Sequence, residues 1–219
     1  MRATPLRRAS APTLFGLLLA AASAGAQSNA AHAHIGHVAD AFNDTPAGMG
    51  LLATSAAEAE FAAVHADLAA MDPTNLEAIK RHVAHVLHAV DPTLIAEGPG
   101  GGYGLRQAAS GAVRHIEMAA SAEGASDNVR THAAHVAASV GNTVQRADAI
   151  VALARQIQAT NSPTEAMSLL QRLMAESAAL VPGRDANGDG RVGWEAGEGG
   201  LQQATQHMTL MKRGEGLVQ

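Results

Sequence analysis

The chain has 219 residues, a formal net charge of −5 at neutral pH and no cysteine, and although 47% of it is hydrophobic only 2% is aromatic. A chain without cysteine forms no disulfide, thiolate metal site, lipid-anchored cysteine or c-type haem attachment. Acidic balance without basic clusters argues against nucleic acid and against anionic membranes as partners.

Residues 1–26 read as a secretory signal peptide. Arg2, Arg7 and Arg8 form the basic region, Thr13 to Ala22 the apolar stretch, and Ala24-Gly25-Ala26 the small-residue cleavage site. The apolar stretch is too short to span a bilayer, and nothing after it is long and apolar enough to do so. The expected location is therefore periplasmic or secreted, by the general secretory route. Arg7-Arg8 raises twin-arginine export as an alternative, weakened by the lack of a bulky apolar residue close behind the pair. Removing the three arginines takes the net charge from −5 to −8. Phe42, Phe61, Tyr103 and Trp194 are then the only aromatics. Alanine, leucine, valine and methionine must fill the core, which suits closely packed helices.

Residues 27–48 read either as a mobile N-terminal arm or as a short helix from Ala30 to Phe42 that carries His32, His34 and His37. A His-rich helical bundle is expected over 49–161. Its first helix spans about Leu51 to Met71, with Phe61, Val64, Leu68 and Met71 as its apolar face, and Asp72-Pro73 stops it. The second, about Asn75 to Val90, presents Leu76, Ile79, Val83, Val86 and Val90 and packs antiparallel to the first. The glycine-rich stretch 98–104 lacks the lysine and the preceding strand of a phosphate loop and reads as a flexible crossover. A third helix, about Leu105 to Ala122, buries Leu105, Ala109, Ala112, Ile116 and Ala119. The fourth is the spine. Val129, Ala133, Val136, Val140, Thr143, Ala147, Ile150, Ala154 and Ile157 alternate steps of four and three along one helix from Asp127 to Ala159.

Residues 162–219 read as a helix-loop-helix packed on that bundle. Ser162-Pro163-Thr164-Glu165 forms a capping box at its start. In the loop, Asp185, Asn187 and Asp189 offer oxygens at alternate positions, Gly190 the sharp turn and Arg191 a backbone carbonyl. This stretch resembles the EF-hand calcium loop in the variant form of secreted bacterial proteins such as dockerins. The resemblance covers about a dozen residues and implies a bound calcium ion. It departs from the pattern at the twelfth position, where Ala196 replaces glutamate and leaves Glu195 or Glu198 as the substitute ligand.

The histidines carry the second chemistry. His82, His85 and His88 fall at i, i+3 and i+6 of one helix. In an up-down bundle of four main helices, His65, His82, His115 and His132 would lie at one height, one per helix. His85 and His135 sit on flanks as further ligands, and His88 points to solvent. Such a layer suits zinc, copper, nickel or iron, with Glu58 and Glu117 as outer carboxylates. Two of these histidines could instead clamp a b-type haem for electron transfer. A third reading is a structural or partner-binding bundle with calcium alone. The Glu-x-x-His pairs of di-iron bundles and the His-Glu-x-x-His of zinc peptidases are absent, and no nucleophile stands out, so no catalytic residue is assigned.

Overall fold

The computed structural model describes residues 30–218, and these form an all-α bundle. The segment read as a signal peptide lies outside the described residues. Helix α1 covers 30–39, and a 3-10 turn at Pro46–Gly48 leads into α2 (Leu51–Ala69). There follow α3 (Leu76–Val90), α4 (Leu105–Ser121), α5 (Asp127–Ala159), α6 (Pro163–Ala178) and α7 (Leu201–Gly214). None of the described helices is long and apolar enough to cross a membrane.

The caps explain several of these boundaries. The Asn75 side chain accepts the Ala78 amide, and Ser126 accepts the Val129 amide, each at 3.0 Å. Ser162 accepts the Glu165 amide at 3.3 Å with Pro163 opening α6. The reciprocal half of that box is altered: the Glu165 carboxylate takes the Thr160 hydroxyl, and Thr160 in turn accepts the Ser162 amide. Each such cap satisfies an amide that the helix itself leaves unpaired.

Helices α2, α3, α5 and α4 pack as the four corners of the bundle, with α6 and α7 laid along α5 and reaching α2. The nine-residue stripe read along α5 is buried throughout, as is the whole stripe of α4. Helix α1 adds Ile35 and Val38 to the same core. It approaches so closely that a Cβ on Gly50 would stand 2.7 Å from the Ala39 backbone.

Helix α2 departs from expectation. Phe61, Val64 and Met71 are 40%, 48% and 77% exposed. The face it buries is Ser55, Ala59, Ala62, Ala66 and Ala69, a small-residue stripe that lets neighbouring backbones come close. Hydrophobicity alone picked the bulky face, but close packing chose the thin one.

Two further expectations change. His88 is 5% exposed rather than solvated, and its ring Nδ1 pairs with the Ile95 carbonyl at 2.8 Å. Gly98 makes that possible, since a Cβ there would stand 2.7 Å from the His88 side chain. Glu58 is also buried, but its partners are the Tyr103 and Gly104 amides at 3.0 and 3.2 Å, so it anchors the glycine-rich crossover to α2. Glu117 lies exposed on α4. Neither is seen bonded to a histidine.

Candidate metal centres

Three helices carry the same pentad: His34-Ile-Gly-His37-Val38 on α1, His82-Val-Ala-His85-Val86 on α3, and His132-Ala-Ala-His135-Val136 on α5. The residues at the second and fifth places are buried in every copy. Burying those two anchors the helix phase. Histidines three apart share one helix flank, so both imidazoles of each pair are turned toward the same neighbouring helix.

That neighbour supplies a third imidazole each time. His115 of α4 completes site A with His34 and His37; His65 of α2 completes site B with His82 and His85; His207 of α7 completes site C with His132 and His135. In each the lone histidine is the apex. Its Nδ1 stands 2.9 and 3.3 Å from the Nδ1 atoms of its pair in site A, 3.2 and 3.3 Å in site B, and 3.0 and 3.3 Å in site C. Ring orientations repeat as well. The two rings of each pair are nearly perpendicular, at 77°, 88° and 82° for A, B and C.

These separations lie at hydrogen-bonding length and close to those of a coordination shell. Nitrogens held tetrahedrally at ~2.0–2.1 Å from zinc are about 3.3–3.4 Å apart. An apex Nδ1 has a single hydrogen-bonding position and cannot serve two imidazoles at once. Lone pairs converging from three rings repel one another unless a cation sits among them. Each of the three groups can hold a metal ion. All nine rings are half-buried, so an ion would reach these sites from solvent.

The histidines expected in one layer are thus distributed over three centres. His65, His82 and His85 come together in site B, whereas His115 belongs to A and His132 with His135 to C. Spacing along a helix gives height but not the neighbour, and the flanks of α4 and α5 face the outer helices α1 and α7. His34, His37 and His207 were missed for that reason. The pentads, opening at intervals of 48 and 50 residues, were the available signal for the pairs. His207 stands alone in sequence and had none. The pairing at sites A and B is crossed: the α1 pair is completed from α4, and the α3 pair from α2.

The outer helices are tied down at one end. Glu215, just beyond α7, accepts from Ser126, Asn128 and His32 at 2.5, 2.8 and 3.0 Å, joining α1 and α7 to the start of α5.

Burial, and then the neighbouring imidazoles, hold His34, His65, His115 and His207 below the ordinary imidazole value. Burial and His85 do the same to His82, with Arg81 adding to it. In His135 burial and His132 lower the value, against a partly opposing Glu195. In these six histidines the shifts favour the neutral imidazole, which is the form that binds a metal. Where a folded imidazole titrates lower than an unfolded one, the folded state binds fewer protons, so stability falls as pH drops. The metal-free protein is expected to melt at progressively lower temperature as pH is lowered from the unperturbed histidine value of ~6.5 toward the lower folded values. Substituting His65, His115 and His207 together by glutamine should flatten that slope; an unchanged slope would show that the triads do not cause it.

The acidic loop is compact. The Asp185 carboxylate accepts the amides of Gly188, Asp189 and Gly190 at 2.6, 3.2 and 2.8 Å. Asn187 accepts the Asp189 amide, and Asp189 the Arg191 amide, both at 2.9 Å. Gly188 and Gly190 have φ of +79° and +83°, a region open to glycine. Glu198 is buried and accepts the Gly193 amide at 2.8 Å. The flanking helices stand farther from the loop than in an EF-hand, since α6 ends at Ala178 and α7 begins at Leu201.

Helix α5 grips the end of this loop. Asn142 donates to the Glu195 carbonyl and accepts the Gly197 amide, both at 2.8 Å. Buried Arg146 donates to the carbonyls of Gly197, Glu198 and Gly199, each at 2.7 Å. Trp194 is thereby laid over site C, its ring 4.2 Å from that of His135 at an interplanar angle of 26°.

The chain matches no protein-family model, no curated protein and no solved structure.

Proposed function

We propose that the protein is an exported metal-handling protein that takes up three transition-metal ions, one at each histidine triad. The observation that carries this reading is the threefold recurrence of one construction: a His-x-x-His pair and an apex histidine with Nδ1 separations of 2.9–3.3 Å. Neutral imidazole suits zinc, copper, nickel and iron, and three nitrogens leave a coordination position open for delivery or release. The basic, apolar and small-residue order of 1–26 supports export to the periplasm. A b-type haem is less well served, because axial ligands must approach from opposite faces of a flat macrocycle. The triads gather their nitrogens on one side. A Soret band in protein supplied with haem would overturn that ranking.

The test is a titration of metal-free protein with cobalt(II), followed by its visible bands. Three equivalents are expected. His65→Ala, His115→Ala and His207→Ala should each remove one. A wild-type stoichiometry below three, or variants that still bind three, would overturn the reading.

A second reading rests on a separate observation. The oxygens of Asp185, Asn187 and Asp189 alternate along one turn, with Gly188 between the last two and Gly190 following Asp189. That pattern supports calcium in the acidic loop, with the Arg191 carbonyl and Glu195 or Glu198 completing the set. Replacing Asp185 and Asp189 by alanine removes amide acceptors in either condition and is expected to lower thermal stability more in calcium than in chelator. An equal loss under both conditions would sink the calcium reading.

A further inference from the structure

The three triads share one geometry but not one surrounding. In site A the Phe42 ring packs edge-on against His37 and His115, with centroids 5.3 and 5.1 Å away. In site C the Trp194 ring packs on His135 and His207, at 4.2 and 5.3 Å. These are corresponding members of the two sites: the second histidine of the pair and the apex. In site B the corresponding members are His85 and His65. Among the described residues, the rings packed on them are those of their own triad. The sequence after 1–26 has only four aromatic residues, and two of them stand at these places.

We propose that Phe42 and Trp194 are walls that make sites A and C retentive, and that site B, which has none, is the port through which metal exchanges. This rests on the reading of the triads as metal centres and adds a division of labour among them.

The physical reason lies in how a bound ion leaves. Exchange at an open coordination position requires an incoming water or chelator to reach the ion while an imidazole swings away. An aromatic ring packed on two of the three imidazoles opposes both events. It covers one side of the site, and it holds the rings in their ligating orientation. Phe42 is part of the packed core boundary. Trp194 is 40% exposed but is held by the backbone clamp that Asn142 and Arg146 place on the residues after it. Each wall is therefore fixed by contacts outside its site. The Glu195 carboxylate, close enough to site C to act on His135, adds negative charge beside the ion. Site B offers no such hindrance. Its ligands come from the two helices of one hairpin, and Phe61, one turn before His65 on α2, is 40% exposed, with no ring pairing to the triad among the described residues.

The test is release kinetics from the full chain loaded with three equivalents of zinc(II) and challenged with a chromogenic chelator in rapid mixing. One equivalent is expected to leave quickly and two slowly. His65→Ala should delete the fast equivalent and leave both slow ones. Trp194→Ala should move one equivalent from the slow to the fast class, with a rate gain of roughly three- to tenfold from the lost ring contact. Trp194→Phe, which keeps a ring over His135, should stay slow. Because Trp194 is the sole tryptophan of the chain, quenching of its emission by copper(II) reports filling of site C directly and checks that the variants of A and B leave it intact. Three equivalents leaving at one rate, or a Trp194→Ala protein whose rates match wild type, would overturn the assignment of walls and port while leaving the metal reading standing. Fewer than three equivalents at the start would instead overturn the metal reading.

Discussion

Saturating the metal-free protein with zinc is expected to raise its unfolding midpoint by roughly 15–30 °C. An ion that binds only the folded chain, at a hundredfold excess over its dissociation constant, contributes about 2.7 kcal/mol. Three such sites contribute about 8 kcal/mol, and a domain of this size gains about 2–4 °C per kcal/mol. The folded chain is ready to receive the ions because the histidines of each triad are already converged, and burial lowers the pKa of the apex members His65, His115 and His207. The His207 substitution should remove about a third of the rise, the His65 and His115 substitutions at least that, and the triple substitution should abolish it. Differential scanning calorimetry with and without zinc measures both. A rise that survives the triple substitution would place the stabilising ion elsewhere in the molecule.

Substituting Arg146 by methionine is expected to cost about 2–6 kcal/mol, from ~1–3 kcal/mol for each of the two buried residues, Glu198 and Gly199, whose carbonyls lose their donor. The volume is roughly kept, but the carbonyls of Gly197, Glu198 and Gly199 lose the donor that satisfies them. A buried acceptor left unpaired costs its full desolvation. The effect should also be selective. The clamp positions the approach to α7, and with it Trp194 and His207, so metal binding at site C should weaken while A and B keep theirs. Denaturant unfolding measures the first effect, and copper(II) quenching of Trp194 the second. A variant that loses stability with site C unaffected would uncouple the clamp from the site.

Much of the fold was legible because α4 and α5 are amphipathic in the plainest sense. Val129 to Ile157 keeps a strict three-four rhythm, and burying it needs no knowledge of the neighbours. Helix α2 was misread because its buried face is alanine, which hydropathy ranks below Phe61 and Val64 even where geometry demands something thin. His88 illustrates a different gap: its burial depends on a crossover folding back so that the Ile95 carbonyl and Gly98 meet it. Among the triad histidines, His65, His82 and His85 could be brought together from sequence, since α2 and α3 are joined by a short turn. His34 and His207 could not, since their partners lie 81 and 75 residues away.

The crossed pairing of sites A and B carries a consequence of its own. The stretch from α1 through α2 and the stretch from α3 through α4 are built alike: a pentad, a loop ending Gly-x-Gly-Leu at Leu51 or Leu105, and a helix bearing an apex histidine. Each lends its apex to the other's pair. That is the exchange rule of a two-fold, isologous interface, in which residue i meets j and j meets i, here realised within a single chain. Two ions bound there would sit across one shared seam between these two stretches. An ion in site A would fix their relative placement, which is also what site B requires, so each ion would preorganise the other's ligands and the effect would be reciprocal. Site C, built by α5 and α7 outside that seam, stands apart from this linkage.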